Sequence, residues 1–334
     1  MMFSVLIPLY NKAPYIDSTL QSVLAQDCPD FEVLVIDDGS QDEGAQIVAR
    51  CTDPRVRLLR QTNAGVAVAR NRGIEAARGQ WVCFLDADDW LHPRYLSTLI
   101  EAQQRHPEAE VVAADFLRVP DAPGPWPPPW PVADGPAPVE LIERLARRWM
   151  DGPSLSSSSV AVLRSRLLTL QPCFAPGETL GEDLDLWFRL AEVTPVALAH
   201  KPLVAYRVDV AGSLSSGHPR ERRYPFLERL RERVRSGRLS RQMRSDTRWL
   251  IAQHELSLAR ETLQAGHRAQ ALSWLLRAWP ALSGRRWWFT ALMVTCMPRS
   301  WTERSLRWRE RRASSAGSAQ AADLRDPRDP PSPT

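Results

Sequence analysis

The stretch QWVCFLDADDW, Gln80 to Trp90, decides the fold. An unbroken apolar run, Trp81 to Leu85, ends in Asp86, Asp88 and Asp89, and Gly79 stands just before it. A short apolar run bounded by a breaker reads as a buried strand. Carboxylates clustered at the end of such a strand are costly unless cations neutralise them. Hard divalent cations are the natural partners of clustered carboxylate oxygens. The strand end is therefore a candidate metal and diphosphate site.

Working outward, Phe3–Pro8 reads as a first strand, and Ile16, Leu20, Val23 and Leu24 fall at helical spacing over Pro14–Gln26. Phe31–Ile36 is a second apolar strand, closed by Asp37-Asp38-Gly39-Ser40. A short helix near Ala45–Arg50, a strand at Val56–Leu59 and an Ala-rich helix over Ala64–Arg78 lead back to Gly79. Alternating strands and helices with near-continuous apolar strands predict an α/β fold, a mostly parallel sheet flanked by helices. Asp37 and Asp38 then end the second strand as Asp86 and Asp88 end the fourth. In such sheets the ligand crevice lies outside these carboxyl ends. No GxGxxG or GxxxxGK[ST] follows any strand, so a metal bridging carboxylate and diphosphate is the economical way to hold phosphates. The alternative for each acid is a turn or helix cap, and Asp89 is expected to cap the helix that follows.

Beyond this half, Pro93 is expected at a first helical position, with its helix running to about His106 and a strand at Val111–Val119. PGPWPPPWP within Pro120–Pro138 predicts an extended loop. Val139–Met150 reads as an amphipathic helix, Ser154–Ser159 as a flexible or gated loop and Val160–Leu163 as a strand. Gly181-Glu182-Asp183 opens a helix, and Val196–Ala199 and Leu203–Arg207 read as two further strands. After Gly217 the pattern is helical and Arg-rich, and Ala313–Thr334 has the composition of a disordered tail.

The 334 residues allow one large or two smaller domains, and 44% hydrophobic with 25% charged content is that of a globular chain. The net charge of +4 is almost all arginine, since Lys12 and Lys201 are the only lysines. Five scattered cysteines without a CxxC argue against a disulfide framework or a zinc site. The apolar stretch Trp287–Met297 is too short to span a bilayer, and no secretory leader is recognised. A cytoplasmic setting is the expectation.

Five ordered stretches carry a resemblance: VLIPLYNKAPYIDSTLQSVLAQ (5–26), VLVIDDGSQD (33–42), NAGVAVARNRGIEAARGQWVCFLDADDW (63–90), GEDLDLWFRL (181–190) and PLVAYRVDVAGSLS (202–215). Together they resemble the family 2 glycosyltransferases of GT-A fold. The resemblance implies a metal-dependent inverting transfer, with Mg²⁺ or Mn²⁺, from a nucleotide-sugar, most plausibly a UDP-sugar, to a glycan or lipid-linked hydroxyl. Pro8, Tyr10 and Asp38 would line the base and ribose pocket. Asn63, Gly65 and Arg70 would approach the donor, Asp86 would reach the ribose side, and Asp88 would hold the metal of a DXD motif. Asp183 would be the catalytic base, with Glu182 beside it in an open role. The implied layout is a glycosyltransferase domain over 1–217 (a donor half to 119, the Pro-rich loop 120–138, an acceptor half from 139), a helical extension over 218–312 and the tail.

The chain departs from the family pattern in two places. Asp209 stands where many relatives have a histidine after the YR pair, leaving Arg207 as the diphosphate contact and His200 or His218 as substitutes. The processive QxxRW signature is missing, which points to single additions. Trp287, Trp288, Trp301 and Trp308 among arginines suit either a helical cap or a peripheral contact with an inner membrane surface. Nucleic acid is the least suitable partner, because an acidic strand-end site repels a phosphate backbone. A catalytically inactive scaffold protein is the alternative of a different class.

Overall fold

The computed structural model describes residues 3–121, 132, 135–178, 181–210 and 225–296. The first half alternates as expected: β1 (Phe3–Leu9), α1 (Ala13–Leu24), β2 (Phe31–Asp37), α2 (Gly44–Ala49), β3 (Val56–Arg60), α3 (Val66–Ala76) and β4 (Trp81–Phe84). Then come β5 (Trp90–Leu91), α4 (Tyr95–Arg105), β6 (Val111–Pro120), β7 (Val139–Ile142), α5 (Leu145–Arg148), β8 (Val160–Leu163), α6 (Arg164–Thr169), α7 (Glu182–Leu190) and β9 (Val196–Val208). Four helices follow: α8 (Pro225–Arg235), α9 (Arg241–Gln264), α10 (Arg268–Arg277) and α11 (Arg285–Thr295).

One sheet holds all the strands, in the order β3-β2-β1-β4-β8-β6-β9-β5, with β7 paired to β9. The β3-β2-β1-β4 part is parallel, as is the long β6–β9 ladder. The shorter pairings of β8, β5 and β7 are antiparallel. The register sets Leu9 beside Asp37, and the Leu85 amide donates to the Leu6 carbonyl, so the carboxyl ends of β1, β2 and β4 lie side by side. Chain order reverses about β1, and that is where an open α/β sheet leaves its crevice. The apolar runs are buried because helices cover the sheet: Ile16, Leu20 and Val23 of α1 and Leu96 and Leu99 of α4 pack into one core with β1, β2 and β4.

The described residues through Thr247 form one compact unit, and those from Arg248 form another with its own core around Leu256, Ala259, Trp274, Leu275 and Met293.

Several expectations need correcting. The Val139–Met150 segment is not one helix: it forms β7, then the short α5 and a 3-10 turn over Trp149–Asp151. Its pattern is compatible with either element, and the open edge of β9 selects the strand. Ser154–Ser159 is no flexible loop. Ser157–Ser159 is a buried 3-10 turn in which the Ser156 amide donates to Ser159 Oγ and the Ser159 hydroxyl returns to the Ser156 carbonyl. The two strands expected over 196–207 are one, β9, whose pairing with β6 shifts register around Asp115. Pro93 stands ahead of α4 rather than at its first position, since Arg94 is the cap. The Pro-rich 122–131 segment, residues 211–224 with His218, and 297–334 with Trp301, Trp308 and the expected tail lie outside the described residues.

Candidate functional site

The site is built around Arg70, on α3 behind the carboxyl ends of the strands. Its Nη2 donates to Asp86 Oδ1 at 2.7 Å and its Nη1 to Glu182 Oε1 at 2.8 Å. The side chain is only 4% exposed, and its guanidinium lies over the Phe174 ring. Burial alone works against the charge, but Asp86, Glu182 and Asp183 outweigh it and raise the Arg70 pKa. One cation thus joins two motifs more than ninety residues apart in sequence. Arg70 had been expected to approach a donor; the structure gives it this bridging position. Glu182, whose role was open, is the second anchor, and burial pushes its carboxyl upward.

Asp183 follows in the first turn of α7. The cap residue is Gly181, in the left-handed region at φ +76°, where a residue with a side chain is strained, so Asp183 is not the helix cap. Asp183 Oδ2 accepts from Ser157 Oγ at 3.0 Å. The neighbouring Ser158 hydroxyl donates to Asp89 Oδ2 at 2.5 Å, and Ser158 Oγ accepts the Asp86 amide at 3.0 Å. The Ser157-Ser158 pair therefore clamps the GED segment to the DAD segment. Sequence reading missed both serines, because a run of serine carries no signal of the buried acceptors waiting for it.

Asp89 is the second correction. It caps no helix: it is fully buried, with Oδ1 accepting the Arg207 amide at 2.8 Å and Oδ2 accepting Ser158. Burial, then Asp86 and Asp88, push its pKa well up. Arg207 donates through Nε to the Asp88 carbonyl at 3.0 Å and through Nη1 to Asp121 at 2.8 Å, and lies 4.7 Å over the Tyr15 ring. The Tyr15 hydroxyl completes this cluster by donating to Asp121. Arg207 is thus placed beside the DAD turn, with its guanidinium on Asp121.

Asp88 receives the Lys12 ammonium at 2.5 Å. Burial raises the Asp88 carboxyl, Lys12 opposes this, and Asp86 adds to it. Lys12 is not singled out by the sequence reading, although one of only two lysines in an arginine-rich chain is a usable signal.

Asp38 occupies the end of β2 but faces backbone. Its Oδ1 accepts from Gln61 Nε2 and the Ala64 amide and its Oδ2 from the Gly65 amide, each at 2.8 Å. Gly39, at φ +75°, lets this turn close, since a Cβ there would meet the Asn63 amide at 2.9 Å. Asp38 therefore shapes the 61–65 segment, with Asn63 exposed on it. Pro8 is half-buried near the end of β1, and Tyr10 just beyond is 45% exposed. His200 contacts Asp115 and Glu140 and none of the DAD acids, and Asp209 takes a left-handed backbone at φ +64°.

Asp86, Asp88, Asp89, Asp121, Glu182 and Asp183 thus surround Lys12, Arg70 and Arg207 as the described cations. The acidic excess, all hard oxygen, fits a divalent cation. No group of three or more His, Cys, Asp or Glu side chains able to hold a metal occurs among the described residues, so a metal bound here would take most of its shell from a ligand and water.

A mostly parallel sheet with this acidic crevice defines a GT-A-type nucleotide-binding fold. Residues 4–166, just under half of the chain, match the family model "Glycosyl transferase family 2". It is 44% identical over 99 residues to the uncharacterized glycosyltransferase YibD of Escherichia coli, covering 29% of each chain. It is 45% identical over 96 residues to the succinoglycan biosynthesis protein ExoO of Rhizobium meliloti, covering 28% of each. These alignments span less than a third of the relatives' length. Among solved structures, S. aureus TarS 1-349 in complex with UDP-GlcNAc superposes with TM-score 0.59 at 23% identity, over 78% of this chain and 72% of that one. The mannosyltransferase PcManGT from Pyrobaculum calidifontis, in complex with GDP-Man and Mn²⁺, gives TM-score 0.57 at 18% identity, over 87% and 83%. At these identities the likeness concerns the fold.

Proposed function

We propose that the chain transfers a glycosyl group from a nucleotide-sugar, most plausibly a UDP-sugar, to a hydroxyl of a glycan or lipid-linked acceptor in polysaccharide biosynthesis, with inversion and one addition per encounter. The observation that carries this reading is the Arg70 bridge, which brings the DAD and GED acids to one crevice at the carboxyl ends of the strands. The relatives' names, and nucleotide-sugars in the titles of the fold neighbours, support the substrate class. We assign this chemistry to residues 1–217, with 218–312 as an extension, and we place the protein at the cytoplasmic face of a membrane as a peripheral protein.

In this reading Asp183 takes the proton from the acceptor hydroxyl as it attacks the anomeric carbon. Ser157 holds one Asp183 oxygen, leaving the carboxylate oriented rather than free to rotate. Arg70 holds Asp86 toward the ribose side while keeping Glu182 away from the proton transfer. Asp88 would hold Mg²⁺ or Mn²⁺, which when bound supplies Lewis-acid neutralisation of the leaving diphosphate. Lys12, now on Asp88, and Arg207, beside the DAD turn, would be available to a diphosphate bound there. Pro8, Tyr10 and the Asp38-shaped 61–65 segment, with Asn63 and Gly65, form the walls for base and ribose. The test is transfer from a panel of UDP- and GDP-sugars, with Mn²⁺ and with EDTA. Failure of every donor to bind in the presence of metal sinks the reading.

A further inference from the structure

The second compact unit carries most of the large apolar side chains exposed among the described residues. Leu272, Leu276 and Trp279 fall at i, i+4 and i+7 along α10 and the turn that follows it. They lie one position beyond the buried residues Ala271, Leu275 and Ala278, so α10 is apolar on two adjacent stripes and buries only one. The second stripe continues to Leu282, whose carbonyl accepts the Trp288 indole Nε1 at 2.9 Å, and Leu292 stands one turn beyond Trp288 on α11. Trp279 and Trp288 are 66% and 62% exposed. An isolated exposed leucine needs no explanation, but six large apolar side chains gathered on one helical hairpin do.

Along this stretch of the chain the charge has a single sign. No Asp or Glu stands between Glu261 and Glu303, whereas Arg268, Arg277, Arg285, Arg286 and Arg299 do. Arg277 and Arg285 are exposed beside the stripe. A second copy of the chain docked through the same face would oppose arginine with arginine. A nucleic acid would stack on the tryptophans but gain nothing from four leucines. An anionic bilayer satisfies both features: tryptophan and leucine enter the headgroup boundary while arginine meets lipid phosphate.

We infer that the Leu272–Leu292 face docks on an anionic lipid surface, with Trp279 and Trp288 as its anchors and Arg277 and Arg285 as its electrostatic rim. No helix among the described residues is long and apolar enough to cross a membrane, and this face lies on the surface instead. The inference rests on the membrane setting of the proposed function but on none of its chemistry.

The test is co-flotation of the full chain with vesicles of phosphatidylcholine alone and with vesicles containing about a third phosphatidylglycerol, at low and high salt. The wild-type chain is expected to float with the anionic vesicles and to be released by salt. Trp279→Ser/Trp288→Ser should lower partitioning at least about tenfold, and Arg277→Gln/Arg285→Gln by about the same. Nucleotide-sugar binding should be unchanged in both, which separates this inference from the transfer reading, and an unchanged helical circular dichroism spectrum shows that the second unit still folds. No flotation on anionic vesicles, equal flotation on phosphatidylcholine alone, or undiminished flotation of the tryptophan variant overturns it. So does a solution dimer that dissociates in the tryptophan variant, which would assign the face to a second copy.

Discussion

Replacing Arg70 with Met tests the organisation of the site without touching the acids themselves. Each of its two ion pairs, at 2.7 and 2.8 Å, is worth about 6 kcal/mol gross at an effective dielectric of 20. Most of that is offset by the desolvation of three charges, so the net value of the triad is small. Breaking it is different, because Glu182 stays buried without its partner and Asp86 loses its one cationic partner among the described residues. Removing one member of a buried pair costs about 3–5 kcal/mol, and the partial exposure of Asp86 puts Arg70→Met near the lower bound, about 3 kcal/mol. The second substitution Glu182→Gln removes the stranded charge, so the double variant should recover about half the loss. The pH dependence has a definite sign. Burial already raises the Glu182 carboxyl, and losing Arg70 raises it further. An acid with a raised folded-state pKa costs nothing below its unfolded value, destabilises as pH rises from there to the folded value, and carries its full cost above it. The Arg70→Met deficit should therefore be larger at pH 8 than at pH 5. Urea denaturation of the four corners of the cycle at both pH values measures it. A deficit below about 1 kcal/mol, or no recovery in the double variant, would refute the bridge as the organising contact.

Ser158→Ala should cost about 2–3 kcal/mol, since it strands both Asp89 Oδ2 and the Asp86 amide; thermal denaturation reads it, and Ser158→Thr should restore part of the loss. Burial, followed by Arg286, depresses His254 to about 4. Its neutral form therefore contributes stability above the unfolded value near 6.5 that is lost as pH falls toward 4, on the order of 3 kcal/mol. His254→Gln should flatten that acid limb in urea titrations. Lys12→Met, which frees Asp88 of its internal counter-ion, should tighten nucleotide-free Mn²⁺ binding several-fold by calorimetry; unchanged or weaker binding contradicts the view that Lys12 holds the metal position.

The parallel half of the fold was legible because its strands are apolar on both faces: Phe3–Pro8, Phe31–Ile36 and Trp81–Leu85 allow little else. The acids of the crevice were legible for the same reason, standing where those runs break. What sequence left hidden depended on partners distant in the chain. Whether Val139–Met150 coils or extends is settled by the free edge of β9, sixty residues on. Ser157 and Ser158 read as loop until Asp183 and Asp89 arrive to accept from them. Asp89 reads as a cap because capping is what Asp usually does before a helix; the amide of Arg207, on the adjacent strand β9 but far along the chain, claims it instead. The sequence leads one to expect Arg70 near a donor; its position between two motifs becomes visible only when both are folded around it.

The account stands most directly on the separation of donor holding from proton transfer. Calorimetry of UDP-sugar with Mn²⁺, beside a transfer assay with the matching acceptor, should be run on the wild-type chain, Asp88→Ala and Asp183→Asn. Asp88→Ala should lose donor and metal binding together. Asp183→Asn should bind donor within about twofold of wild type while transfer falls by about 10²–10⁴. Equal loss of donor affinity in the two variants, or transfer persisting in Asp183→Asn, would contradict the assignment.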